Sequence, residues 1–367
     1  MSETFIRSEV SALRMLGHEV EVVSWDAEGS PRLYSLLRLL ASLRLRSILA
    51  AIALIDPRLR TAFPWRRRAQ LALLVSLTLA RVRKFDPEVI HAHFASMPAE
   101  LAVELGRRLG IPVTATFHAT DYIRRLGSDE LEEVASALSR VVMVSNVALS
   151  QMKDAHPAVA NRCVLVRASS SISAEAVLDR KASRNRLVTV ARLVEKKGHA
   201  FLLHGLRAHL DGGADVELRI IGDGPERERL EGLVVQLDLA RNVTFLGELG
   251  HSETIAEVAQ ATAFALICVP ARDGDLDGLP VSIVESLRLG VPVLSTDVSG
   301  IPEAVLDGVN GLTLTSVDPL SIADGIEKIV SLAQVFDKVA GASRAEIEFG
   351  PISQAEKLVT MWRSIRE

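Results

Sequence analysis

Residues 187–225 read LVTVARLVEKKGHAFLLHGLRAHLDGGADVELRIIGDGP, and they hold one complete repeat of the pattern that organises the chain. A short β-branched run at 187–190 is followed by a helical pattern over about 199–210 and by a second run at 218–221. Strands that alternate with helices are typical of parallel sheets, because each helix returns the chain to the start of the next strand. The sequence therefore predicts an α/β fold.

The alternation recurs on both sides of this stretch. Before it, the patterns predict strands at 18–24, 89–91, 113–117 and 141–145 and helices at 4–16, 97–109 and 130–139. After it, they predict strands at 243–246, 263–269 and 293–295 and helices at 225–238, 253–260, 281–289 and 353–365. Between the two sets, 168–186 has the small, polar composition of a linker. We therefore predict two doubly wound, Rossmann-like domains facing each other across a cleft, at 1–170 and 185–349, with 350–367 packing back on the first domain.

Composition narrows the class of protein. The chain has 367 residues, 48% of them hydrophobic, which suits two cored domains and excludes a disordered chain. Its two cysteines, Cys163 and Cys268, lie far apart, which excludes a disulfide framework and zinc-type spacing and favours a reducing, cytoplasmic location. The net charge of −4 gives no reason to expect nucleic-acid binding. We find no apolar signal-peptide core and no stretch of the roughly 20 apolar residues that span a bilayer.

Two loops in the second half follow predicted strands. In 191–198 (ARLVEKKG), Arg192 and Lys197 would suit a diphosphate, although on these residues alone a solvated turn with incidental charge is favoured. The second loop, 222–225 (GDGP), is not a dinucleotide-binding motif, because the third glycine position is Arg227. We interpret it as a structural turn.

The third loop, 273–285 (DGDLDGLPVSIVE), is the most informative one. Gly and Pro after three aspartates suit a helix start, where backbone N–H groups bind anions. Glu285 falls within an otherwise apolar helical stretch and needs a partner, and a sugar diol could supply two hydroxyl protons to it. For the aspartates, a divalent-metal loop or plain solvation stays open as the alternative.

The order of these motifs resembles glycosyltransferase family 4. The shared elements are Arg-Leu…Lys-Gly at 192–198, Gly-x-Gly-Pro at 222–225, acid-Gly-Leu-Pro-x4-Glu at 277–285, Gly-x-Pro-Glu at 300–303 and Asp-Gly-x-Asn-Gly at 307–311. In the first half, 2–9, 91–95 (HAHFA) and 117–121 (FHATD) look like the colanic-acid and exopolysaccharide branch. The resemblance implies a GT-B fold and the transfer of a sugar from a nucleotide donor with retention of anomeric configuration.

The resemblance also implies roles for particular positions. Arg192 and Lys197 would bind the donor diphosphate, and Gly278 and Leu279 would offer it backbone N–H groups. Glu285 would hold the ribose hydroxyls, and two further side chains would face the transferred sugar, namely Asp277 and His118. We interpret His91 and His93 as structural.

Three departures from the family pattern accompany the resemblance. The linker at 168–173 lacks the Gly-x-Asp turn that is usual in the family. Asp277 stands where the family has Glu, so the carboxylate is one methylene shorter. The chain begins at Met1-Ser2-Glu3, where relatives have a first strand, and we expect the natural reading frame to begin upstream.

The sequence-based expectation is therefore a cytoplasmic retaining glycosyltransferase that uses a nucleoside-diphosphate sugar and needs no obligatory metal or other cofactor. Its acceptor would be a saccharide or lipid-linked saccharide in polysaccharide synthesis. The alternative is a relative that binds a nucleotide-sugar without turnover. A nicotinamide oxidoreductase is excluded by the lack of a G-x-G-x-x-G after a strand.

The segment 31–84 carries twelve basic residues and one acid, Asp56. Its leucine-rich helical pattern with Trp65 beside Arg66, Arg67 and Arg68 predicts docking on an anionic membrane surface. In the alternative, the leucines pack on the sheet and the arginines are solvated.

Overall fold

The structure is a computed structural model that describes residues 4–23, 65–170, 172 and 185–366. The chain divides into two compact units. The C-terminal unit comprises Val166–Lys357 with Met1–Ala12 and Val144–Ala148, and the N-terminal unit comprises Leu13–Met143, Leu149–Leu165 and Leu358–Glu367, as far as these are described.

The N-terminal unit contains a four-stranded parallel sheet in the order β1-β2-β3-β4. Its strands are β1 (Ile90–His93), β2 (Val113–Phe117), β3 (Arg140–Met143) and β4 (Cys163–Leu165). The C-terminal unit contains a six-stranded parallel sheet in the order β10-β9-β8-β5-β6-β7. Its strands are β5 (Arg186–Val190), β6 (Glu217–Ile221), β7 (Val243–Gly247), β8 (Ala263–Ala265), β9 (Val293–Thr296) and β10 (Gly311–Leu314).

Helices connect these strands. In the first half the described helices are α1 (Thr4–Met15), α2 (Trp65–Phe85), α3 (Met97–Leu109), α4 (Ala119–Tyr122), α5 (Asp129–Ala137) and α6 (Asn146–Ala155). The second half contains α7 (His199–Asp211), α8 (Arg227–Gln236), α9 (His251–Ala259), α10 (Val281–Arg288), α11 (Ile301–Ala304), α12 (Pro319–Val335), α13 (Lys338–Phe349) and α14 (Pro351–Ser364). The predicted α/β class with parallel sheets is confirmed.

The six-stranded sheet is buried on both faces. Val188 and Phe264 belong to one apolar cluster, and their chain neighbours Leu187 and Ala263 belong to another. Successive strand residues point to opposite faces, so a strand that is apolar at every position must be covered on both sides. This burial explains why continuous apolar runs identified these strands.

The predicted strand at 18–24 is wrong over the described residues 18–23, which have no regular secondary structure. Within the described chain, β1 pairs with β2 on one side, and residues 18–23 form no ladder along its other edge. Glu21 instead accepts a hydrogen bond of 2.6 Å from Arg81 Nε, and the Val20 carbonyl accepts one of 2.8 Å from Arg14 Nη2. Side chains therefore hold the segment where a sheet ladder was expected.

Helix α2 lies within the basic segment 31–84, whose residues 31–64 are outside the described part of the chain. Its Leu71, Ala72 and Val75 are buried, and it packs against α3, where Glu100 forms an ion pair with Arg67. At least this part of the leucine-rich pattern is therefore protein core. None of the described helices combines the length and the apolar character needed to cross a membrane.

Candidate active site

The lysine loop, residues 191–198, leaves the carboxyl end of β5 and closes in a short 3-10 turn, Glu195–Lys197. Gly198 follows with a φ of +63°, and a Cβ there would lie 1.7 Å from the Ile267 carbonyl oxygen. Only glycine fits at this point, where both the backbone conformation and the available space exclude a side chain. Helix α7 begins at the next residue, so the turn and the helix start are fixed against the segment that follows β8.

The Gly222–Gly224 turn packs directly on the lysine loop. The Leu193 N–H donates to the Asp223 carbonyl at 2.9 Å, and a Cβ on Gly222 would lie 2.0 Å from the Ala191 carbonyl oxygen. The two glycines therefore allow the loops after β5 and β6 to touch, which agrees with the structural interpretation of this motif.

The acidic loop, residues 270–280, meets the lysine loop through ion pairs. Lys197 Nζ lies 2.9 Å from Asp277 Oδ2, while Lys196 Nζ lies 3.4 Å from Asp277 Oδ1 and 3.0 Å from Asp275 Oδ2. Burial lowers the pKa of Lys196, but the carboxylates of Asp277 and Asp275 outweigh it and raise that pKa. Two ammonium and two carboxylate groups thus neutralise one another, and Lys196 is a site residue that sequence reasoning missed.

This pairing bears on the metal-loop alternative for the aspartates. A divalent cation is held by carboxylates that are free to donate oxygen atoms to it. Here Asp275 and Asp277 already have ammonium partners, and Asp273 accepts a hydrogen bond of 3.0 Å from the Asp275 N–H. The donor set fits an ion-paired loop better than a metal loop.

Arg192 and Lys197, the two cations predicted to act together, have different environments. Lys197 is half-buried and paired, whereas Arg192 is exposed. Within the described residues the Arg192 guanidinium has no hydrogen bond or ion pair. The Arg192 guanidinium is therefore available to a ligand. The Lys197 ammonium could bind a ligand only by leaving the Asp277 carboxylate or by contacting both at once.

Helix α10 begins after Pro280, directly behind the acidic loop. In the described part of the chain, the N–H groups of Gly278 and Leu279 have no acceptor. The Gly278 carbonyl accepts a hydrogen bond of 2.9 Å from the Gly300 N–H, which holds the loop against the start of α11. The predicted anion-binding N–H groups are therefore present and have no acceptor among the described residues.

Glu285 lies on α10 with 8% of its surface exposed. Its Oε1 accepts a hydrogen bond of 2.5 Å from Ser170 Oγ. Burial raises the pKa of the Glu285 carboxyl, and the Ser170 hydroxyl and the positive charge of Arg288 only partly oppose this rise. Ser170, in the predicted linker, is a partner that no local pattern could have identified.

Glu303, in the Gly-x-Pro-Glu motif, received no role from the sequence. Its carboxylate accepts hydrogen bonds from the backbone N–H groups of Asn146 at 2.8 Å and Val147 at 2.9 Å and from Arg167 Nη1 at 2.7 Å. Burial alone would raise its pKa, but these donors outweigh burial and lower the pKa of Glu303. The motif therefore ties three segments of the C-terminal unit together.

His118 lies in the N-terminal unit, just after β2. Its Nε2 is 3.3 Å from His93 Nδ1, and the two rings stack with their centroids 5.6 Å apart. His91 makes hydrogen bonds with Thr114 Oγ1 at 2.7 Å and with Thr116 Oγ1 at 3.0 Å. These contacts agree with a structural role for His91 and make His93 the neighbour of His118.

Comparison with known proteins gives the family. Residues 2–167 match the family described as Glycosyltransferase Family 4, and residues 173–343 match the family described as Glycosyl transferases group 1. The chain belongs to the glycosyltransferases. It is 27% identical, over 92% of each chain, to a Salmonella typhimurium protein named as a colanic acid biosynthesis glycosyltransferase, WcaL.

Solved structures show the fold of this glycosyltransferase. A glycosyltransferase from Rickettsia africae superposes with a TM-score of 0.70 at 14% identity and covers 100% of this chain and 96% of its own. HepE from Anabaena in complex with UDP superposes with a TM-score of 0.67 at 17% identity, covering 81% of this chain and 83% of its own. The predicted GT-B fold with Rossmann-like domains is confirmed.

Proposed function

We propose that this glycosyltransferase moves a sugar from a nucleoside diphosphate to a saccharide or lipid-linked saccharide acceptor, with retention of anomeric configuration. The observation that carries the donor assignment is the ion pair of Lys197 with Asp277, next to the N–H groups of Gly278 and Leu279 that no described residue accepts. Glu285 follows on the helix that these N–H groups precede. All five residues lie in the C-terminal unit, which we propose as the donor side. We propose the N-terminal unit, to which Leu358–Glu367 belong, as the acceptor side.

Each residue has a chemical task in this proposal. Arg192 and Lys197 neutralise the diphosphate as it departs, and the Gly278 and Leu279 N–H groups donate to its oxygen atoms. These contacts strengthen as negative charge develops on the leaving group, so they lower the barrier rather than only bind substrate. Glu285 accepts the ribose hydroxyls.

The transferred sugar would be held by Asp277 and His118. A carboxylate such as that of Asp277 would also stabilise the positive charge of an oxocarbenium-like sugar. We propose that no metal ion or other cofactor is needed, because the cations and N–H groups supply the charge neutralisation. Turnover that persists in excess EDTA would support this part, and activity restored only by added Mg²⁺ or Mn²⁺ would contradict it.

The acceptor assignment rests on similarity. The name of the Salmonella relative refers to colanic acid biosynthesis, which supports a polysaccharide precursor as the acceptor. We place the enzyme on the cytoplasmic face of the cell membrane, where a lipid-linked precursor would be reached through 31–84.

Thermal unfolding in the presence of a panel of nucleoside diphosphates and their sugars identifies the donor, because a ligand that binds the folded state raises the melting temperature. The selected donor is then tested for release of free nucleoside diphosphate on adding acceptor. Release identifies a transferase, whereas saturable binding without release would favour the alternative of a nucleotide-sugar-binding relative.

Arg192→Ala tests the diphosphate assignment. Loss of one charge-assisted contact of about 1.5–3 kcal/mol predicts roughly 10–150-fold weaker nucleoside diphosphate binding. The affinity for the bare nucleoside, which has no phosphate for Arg192 to contact, should fall far less. Arg241→Ala is the matched control, because Arg241 is also an exposed arginine of the same unit and precedes β7 at the opposite ends of the strands. Equal losses for nucleotide and nucleoside in calorimetric titration would refute the assignment.

Membrane docking is tested with Arg66→Glu and Arg68→Glu together, leaving Arg67 intact because it pairs with buried Glu100. Sedimentation with anionic vesicles should fall in this variant and with rising salt, since each basic residue near such a surface contributes about 1 kcal/mol. A protein that ignores anionic vesicles at low salt would leave only the packing interpretation of the leucines.

A further inference from the structure

Two adjacent lysines share the acidic loop, and only one of them matches the family motif. Lys197 matches it and contacts Asp277, whereas Lys196 contacts both Asp275 and Asp277. Lys196 is 8% exposed and faces two partly buried carboxylates, Asp277 with 12% and Asp275 with 29% of the side-chain surface exposed. None of the proposed donor contacts involves Lys196.

The backbone holds Lys196 against the acidic loop. The Lys196 carbonyl accepts a hydrogen bond of 2.9 Å from the N–H of Val269, the residue immediately before that loop. Glu195 reaches the far side of the loop through an ion pair of 3.1 Å with Arg272 Nε. The Lys196 backbone is therefore fixed against the acidic loop, which keeps its ammonium within reach of both aspartates.

The two oxygens of Asp277 are divided between the lysines. Oδ1 faces Lys196 and Oδ2 faces Lys197. A diphosphate that binds Lys197 either draws the ammonium away from Asp277 Oδ2 or places negative charge next to that oxygen. In both cases the Asp277 carboxylate loses part of its neutralisation. A half-buried carboxylate without a counterion is unfavourable, so such a site would resist the ligand unless a second cation remained on the carboxylate.

We propose that Lys196 is a positioning residue that keeps Asp275 and Asp277 neutralised, so that Lys197 is free to bind the donor diphosphate. This inference rests on the proposed contact between Lys197 and the diphosphate. Lys196 itself touches no substrate. Without it, both carboxylates compete for Lys197, and the net charge beside the phosphate site becomes negative.

The test compares Lys196→Met with Lys196→Arg by calorimetric titration, using UDP or GDP, whichever the thermal panel selects, and the matching nucleoside. Lys196→Met should weaken diphosphate binding by about tenfold to a hundredfold, the effect of leaving a buried charge unpaired, and should change nucleoside binding by less than about threefold. Lys196→Arg should retain most of the affinity. Lys328→Met is the matched control, because Lys328 also pairs with an aspartate, Asp324, but on the exposed face of α12.

The double variant Lys196→Met with Asp275→Asn separates this role from a purely structural one. Removing one of the two competing carboxylates should recover about threefold to tenfold of the lost affinity, whereas a loop that has simply lost its anchor would recover nothing. Asp275→Asn alone should tighten diphosphate binding about twofold to fivefold, since it removes negative charge near the phosphates. This variant keeps the side-chain shape and tests the inference even if Lys196→Met does not fold.

The outcomes are distinguishable. If the wild type binds no nucleoside diphosphate, the proposed function fails and this inference fails with it. If the wild type binds and Lys197→Met loses binding while Lys196→Met does not, only this inference is overturned. A double variant as weak as Lys196→Met, or an Asp275→Asn variant that binds more weakly than the wild type, also overturns it.

Discussion

Glu285→Gln is expected to stabilise the fold while it weakens nucleoside binding. Burial holds the pKa of the Glu285 carboxyl above its ordinary value, so the folded state carries its negative charge at a cost in free energy. Glutamine has almost the same shape and can still accept the hydrogen bond from Ser170 Oγ. We therefore expect the free energy of unfolding at neutral pH to rise by about 0.5–2 kcal/mol, measured by urea denaturation.

The pH dependence has a definite sign. Because the pKa is raised in the folded state, the wild type is relieved of this cost below the unfolded value of 4.5 and loses stability as the pH rises through the folded pKa. The gain in unfolding free energy from Glu285→Gln should therefore be smallest in acid and should increase as the pH rises from 4.5 through the folded-state pKa. Glu327→Gln is the matched control, because Glu327 is an exposed glutamate on α12 of the same unit.

Binding should change in the opposite direction. If Glu285 accepts ribose hydroxyls, loss of one charged acceptor costs about 1.5–3 kcal/mol, or roughly 10–150-fold in the dissociation constant for both nucleoside and nucleoside diphosphate. Calorimetric titration should show no loss for inorganic pyrophosphate. A 2′-deoxy nucleotide should bind wild type weakly and lose little more in the variant. An equal loss for pyrophosphate, or a variant less stable than wild type at neutral pH, would refute the reasoning.

Further variants test the remaining assignments. Asp277→Asn should lower turnover without weakening nucleotide binding, and a reversed pattern in paired kinetic and binding measurements would mean that the two carboxylates have exchanged roles. Glu303→Gln should cost about 1–3 kcal/mol of unfolding free energy above pH 4.5, because the pKa of Glu303 is lowered in the folded state, and the difference should vanish as the pH falls through that lowered value. An unchanged difference in acid would contradict this linkage. His93→Phe should lower kcat with donor affinity unchanged, since it removes the hydrogen bond to His118 and keeps an aromatic ring, and an unaltered kcat would leave His93 a purely structural residue.

Local patterns predicted most of the elements that the structure contains. The helix at 97–109 and the strand at 113–117 have the predicted bounds, because apolar periodicity, a helix-ending Gly110 and β-branched runs are properties of neighbouring residues. The strand Gly311–Leu314 and the helices Pro319–Val335 and Lys338–Phe349 received no prediction.

Contacts between distant residues were beyond such patterns. The alternation at 18–24 predicted a strand, yet strand formation depends on a neighbouring backbone, which no local pattern contains. Likewise the motifs named Asp277, Lys197 and Glu285, but the partners Lys196 and Ser170 depend on loops that come together only when the sheet forms. The sequence by itself therefore identified the candidate functional side chains through their residue types and spacing. Which of these charged groups pair with one another was decided by packing between segments far apart in sequence, and this pairing sets the pKa values of the groups and their availability to a ligand.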